Sequence, residues 1–223
     1  MRNVYTFLFF YNYDIINLGD IMKDEKQLVL FFRKGTNIDS TDLAARLNKK
    51  FDFLKDPVVL PFNPNNPSQP LIIFNRGIIN LTITITDVSF VYDKETHKEM
   101  YDTIMEVVEY LEELDYSFER MGYISTFLHS KKEKEKFKSI MFKDKDTIES
   151  EFQVSWYKRE LIDSVSVNVW QKGITDMVNG VEFVSVFDIN TPIDETYNIT
   201  SEFLKDFVKQ CDKYISEKEK NLK

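Results

Sequence analysis

Gln27-Leu28-Val29-Leu30-Phe31-Phe32 is an apolar run short enough for a strand, and the order of segments it opens begins again at Phe118. After Lys34-Gly35, Asp39 or Ser40 caps a helix in which Leu43, Ala44, Leu47 and Phe51 share one face. Asp42 favours the positive end of that helix, and Asp56-Pro57 lies at its stop. Leu71–Phe74 and Ile78–Thr86 then read as a hairpin around Asn75-Arg76-Gly77, where glycine takes positive φ without strain. In the second arm Leu81, Ile83 and Ile85 alternate with Thr82, Thr84 and Thr86, the period of a strand with one wet face. Val88–Tyr92 gives a further strand. Lys94–Leu114 gives a helix with Met100, Ile104, Val107, Val108, Leu111 and Leu114 on one stripe.

The second pass runs from the strand Phe118–Leu128 through a lysine-rich helix, Lys131–Met141. Three strands follow. Phe152, Val154 and Trp156 alternate in one, Val165, Val167 and Val169 in the next, and Gly180–Phe187 is the third. A helix over Thr200–Glu217 closes it, with Phe203, Leu204, Phe207, Val208, Cys211, Tyr214 and Ile215 inward. This order predicts an α+β domain over 22–223. It is built of two pseudo-repeated β-α-β-β-β-α halves, about 27–115 and 118–218, with helices on a largely antiparallel sheet. Leu81, Ile83 and Ile85 of the first half take the role of Val165, Val167 and Val169 in the second.

Composition bounds the function. The net charge of −8 argues against direct nucleic-acid binding, which needs cations to replace phosphate counterions. A single cysteine excludes an internal disulfide and fits a reducing cytoplasm. Val4–Tyr11 is apolar but too short to span a bilayer, and no small-residue cleavage site follows it. Leu18-Gly19-Asp20-Ile21-Met22 back-translates, in AT-biased codons, to a ribosome-binding sequence just before ATG. Residues 1–21 are therefore expected to be an N-terminal extension, with translation starting at Met22.

No motif carries catalysis, a cofactor or a metal. Cys211 lies on an apolar stripe, as core filler does. His97 and His129 belong to no metal-ligand cluster and no nucleophile motif, and both are expected at the surface. Gly173 and Gly180 read as isolated turn residues. Asp188, Asp194 and Glu195 surround a turn, without the spacing of a metal loop. Trp156 and Trp170 fall at strand positions. The unusual stretch is Pro61–Pro70, with prolines every third residue, the period of polyproline II.

From about residue 71 to 215 the chain resembles a sporadically distributed prokaryotic family of about this length, whose members have no assigned activity. The alternating strand and acidic helix at Thr82–Leu114 carry the resemblance, with Arg120-Met121-Gly122 and Phe187-Asp188-Ile189. Ile124, Ser125 and Phe127 stand where that family has Arg, Tyr and Asn. The resemblance implies the α+β fold and no site.

The expected function is a non-enzymatic cytoplasmic interaction module, an accessory protein of a bacterium or mobile element, binding another protein or a second copy of itself. The alternatives are an acidic inhibitor of a nucleic-acid enzyme and an enzyme with a site dispersed between the halves. Candidate partner-binding residues are Phe62, Asn63, Asn65 and Asn66 of the proline loop and Glu106, Glu109 and Glu113 of the acidic helix.

Overall fold

The computed structural model describes residues 24–75, 79–141, 153–174 and 183–220. The expectations for residues 1–21 and Met22, for Arg76-Gly77, for Phe152 and for Gly180 lie outside the described residues, as does the side chain of His97. In chain order the elements are β1 (Glu25–Phe32), α1 (Ser40–Lys50), β2 (Val58–Val59), β3 (Ile72–Phe74), β4 (Ile79–Ile83) and β5 (Asp87–Asp93). A 3-10 turn at Lys94–Thr96 leads into α2 (His97–Glu113), and β6 (Phe118–His129), α3 (Lys131–Met141), β7 (Gln153–Ile162), β8 (Val165–Ile174), β9 (Phe183–Asn190) and α4 (Ser201–Lys220) follow.

Nine strands form one sheet in the order β2-β3-β4-β5-β1-β6-β9-β8-β7, and every neighbouring pair is antiparallel. The class is therefore α+β. β1 and β6 form the central pair, with Leu28 opposite Phe90 on one side and Tyr123 on the other. Because strand side chains alternate, residues of one parity share a face. Leu28 and Leu30, Val88 and Phe90, Met121 and Tyr123, and Phe187 and Ile189 pack in one core with the apolar stripes of α1, α2 and α4. Phe137 of α3 meets Phe183 of β9 on that same face. The opposite face carries no helix among the described residues.

Local chemistry sets the ends of the elements. The Asp39 carboxylate accepts the Asp42 N–H and caps α1. α2 ends where Asp115 turns to φ 64°, so that the Tyr116 N–H reaches the Leu111 carbonyl and the Asp115 N–H that of Glu112. The expected strand through Thr86 stops at Ile83. Thr84 is buried and its hydroxyl accepts the N–H groups of Thr86 and Asp87, turning the chain into β5 and taking Ile85 out of the alternation. Gly173 lies within β8 rather than in a turn, packed beneath two phenylalanine rings.

Candidate functional site

The proline loop is not a polyproline helix, which has no internal hydrogen bonds. The Asn66 N–H bonds the Asn63 carbonyl at 3.0 Å and the Gln69 N–H bonds that of Asn66 at 3.0 Å, giving two consecutive turns. Pro64 and Pro67 take the second place in each turn, where their fixed φ fits, so the three-residue spacing counts turns. Asn63 is spent inside the loop. Its Oδ1 accepts the Asn65 N–H, and its Nδ2 donates to Gln69. Asn65 and Asn66 are exposed, and Phe62 leaves 53% of its surface to water. Val58 and Val59 of β2, shortly before it in the chain, are exposed too, on opposite faces of the sheet edge.

Glu106, Glu109 and Glu113 are all exposed on α2. Glu109 accepts a hydrogen bond from Lys205 of α4 at 3.0 Å, which neutralises the middle of the acidic stripe. Glu113 borders a polar cavity of about 300 Å³ lined also by Asp42, Leu43, Arg46, Leu114, Asp115 and Tyr116. α2 packs on β5 and α4, whereas the proline loop leaves the outer edge at β2. The candidate residues thus occupy two places rather than one site.

Two buried polar clusters have no motif in the sequence. The first spans the central strand pair. Lys26 of β1 is buried, and its ammonium donates to the Tyr123 hydroxyl at 2.6 Å and to the Asp212 carboxylate of α4. Tyr123 in turn donates to Asp212 at 2.7 Å. Tyr92 stands opposite Lys26 on β5, and Ser125 opposite it on β6, with a buried hydroxyl that has no hydrogen-bond partner. Burial lowers the Lys26 pKa against the opposing pull of Asp212, and burial raises those of Tyr92, Tyr123 and Cys211. Cys211 is therefore an inert thiol in the core. The ion pair joins α4 to the centre of the sheet, and only Asp212 keeps appreciable contact with water.

The second cluster corrects the expectation that His129 is a surface residue. It ends β6 buried between Phe127 and Phe183, because odd-numbered side chains of β6 face the helices. Its Nε2 lies 2.7 Å from the Ser185 hydroxyl, and that hydroxyl donates to Glu219 at 3.1 Å. The Glu133 carboxylate stands 3.9 Å from Nδ1. A hydrolytic serine must give its proton to histidine. Here the Ser185 hydroxyl donates to the Glu219 carboxylate, and Ser185 is fully buried. The geometry is that of a lock fastening α3 and α4 to β6 and β9.

The other singled-out residues have structural partners. Arg159 of β7 binds Asp194 at 2.9 Å and Glu195 at 2.8 Å, and Asp188 accepts a bond from Asn190. Trp156 packs on Phe137, whereas Trp170 lies on the helix-free face against Tyr157, one strand in from the edge. No group of three acidic, histidine or cysteine side chains fit to hold a metal occurs among the described residues. None of their helices is long and apolar enough to cross a membrane. No family model, curated protein or solved structure matches the chain.

Proposed function

We propose that the protein is a cytoplasmic interaction module that binds another protein through the edge formed by β2 and the proline loop, as an accessory of a bacterium or mobile element. The observation that carries this reading is Phe62: a large apolar ring half in water, on a loop stiffened by two turns. A preorganised loop loses little entropy on docking, and phenylalanine is enriched at the cores of protein interfaces. Pro57 and Pro61 flank β2 and lack N–H groups, so the contact is made by side chains rather than by an added strand.

In the same proposal the sheet is two copies of one β-α-β-β-β-α unit meeting at β1 and β6. The strand order supports it: β5, β4 and β3 follow β1 outward as β9, β8 and β7 follow β6. Leu81 and Ile83 of β4 then take the role of Val165, Val167 and Val169 in β8. Main-chain superposition of 25–113 on 118–220 in an experimental structure tests this, and a mismatch of the strand pairs removes it.

Affinity capture from the native host tests the partner reading. One stoichiometric protein is expected with the parent chain and with Cys211→Ala, and its loss with Phe62→Ala at an unchanged melting temperature. A fall in melting temperature of several degrees for Phe62→Ala would make the loop scaffold. Capture that survives Phe62→Ala but fails when Glu106 and Glu113 are changed to lysine would favour the acidic-inhibitor reading instead.

A further inference from the structure

β7 is the last strand of the sheet, and among the described residues no strand pairs with its outer edge. Sheets ordinarily protect an edge by keeping it short or by placing proline on it. The β2 edge has two residues between Pro57 and Pro61, whereas β7 has ten with neither proline nor glycine. The charges that could guard it, Lys158-Arg159-Glu160, are paired with Glu160, Asp194 and Glu195 of their own chain. The turn Asp163-Ser164, at φ 47° and 72°, joins β7 to β8 in two residues, which makes Ile162 and Val165 a hydrogen-bonded pair. Counting back by twos, the N–H and C=O groups of Leu161, Arg159 and Tyr157 face outward. Tyr157 and Leu161 are 49% and 74% exposed on the helix-free face.

We propose that β7 pairs antiparallel with β7 of a second copy of this chain, about a twofold axis at Arg159, joining two sheets edge to edge. The sequence of the strand is complementary to itself in this register. Lys158 stands opposite the partner's Glu160 in a non-hydrogen-bonded pair, where side chains come closest. Tyr157 covers the partner's Leu161, and Trp156 meets the partner's Ile162. The two arginines at the axis are each neutralised by their own chain's Asp194 and Glu195. Moving the axis to Lys158 sets lysine against lysine, and moving it to Glu160 sets glutamate against glutamate, so charge selects the register.

This goes beyond the partner reading above, because it uses the opposite edge of the sheet. Light scattering of the 223-residue chain is expected at twice its 26.5 kDa mass. Lys158→Glu and Glu160→Lys should each weaken self-association by more than about tenfold and run at the single-chain mass, because two contacts change sign. An equimolar mixture of the two variants should return to the double mass. Each variant also loses its internal Lys158–Glu160 pair, which mixing does not repair, so rescue reports on the contact between chains. A parent chain at the single mass, variants that stay dimeric, or a mixture that stays monomeric would each overturn the proposal. Circular dichroism melts of every chain establish that all are folded. Because Phe62→Ala leaves this edge intact, loss of the captured protein and loss of the dimer are read independently.

Discussion

Among the described residues, Gly173 is the one glycine whose missing side chain is explained by space. A Cβ there would stand 2.8 Å from Phe183 and 2.9 Å from Phe137, well inside the contact distance of about 3.5–4.0 Å between carbons. Both rings are fully buried and have nowhere to turn. Gly173→Ala is therefore expected to cost about 1–3 kcal/mol. Urea unfolding measures it, and a variant as stable as the parent would show that the rings move aside freely. Asp188 makes a pH argument possible at the same scale. Burial holds its carboxyl above the usual range, against Asn190 and Lys172, which favour the charged form. A raised folded-state pKa means that the folded protein binds this proton more readily than the unfolded chain. The contribution to stability is then fully present below the unfolded value of about 3.9 and is lost as pH rises through the folded one. Asp188→Asn should accordingly raise the melting temperature at neutral pH, with a gain that shrinks on acidification. A gain independent of pH would assign the effect to packing.

At the scale of elements, the buried Lys26–Tyr123–Asp212 cluster decides how α4 sits on the sheet. Asp212→Ala leaves the Lys26 ammonium buried beside phenols that burial keeps protonated. Removing one partner of a buried pair costs about 3–5 kcal/mol, and the partial exposure of Asp212 places this case at the lower end. Replacing Lys26 by Met together with Asp212 by Leu should recover part of that loss, because no charge is left buried, while the buried Tyr123 hydroxyl loses both of these partners. Chemical denaturation of the two variants is the measurement, and a double variant as unstable as Asp212→Ala would show that the pair contributes more than charge balance. α1 was legible down to its N-cap, and α2 in its apolar stripe. Asp39, the Leu43–Leu47 stripe and the Met100–Leu111 stripe act within a few residues of chain, where helical period and capping operate. Thr84 was not legible, because its hydroxyl can continue an alternating strand or close a turn, and the Asp87 N–H it accepts and carboxylate it donates to settle the matter.

For the whole molecule, local pattern along the chain was enough to lay out the segments. It set the strand period in β7 and β8, the helical period in α1, α2 and α4, the α+β class, and the acidic surface. These depend on neighbours within one or two turns of chain, or on composition alone. Which strands lie side by side, and which polar residues meet, was settled by packing between segments far apart in the chain. Lys26, Tyr123 and Asp212 are brought together from β1, β6 and α4, and His129, Ser185 and Glu219 from β6, β9 and α4. Strand parity makes His129 a buried residue once β6 is known to lie under helices, and nothing local to His129 says so. The edge position of β7 is of the same kind. An alternating strand reads identically in the middle of a sheet and at its border, and the exposure of Tyr157 and Leu161 follows from their place on the helix-free face of the last strand among the described residues rather than from their own sequence.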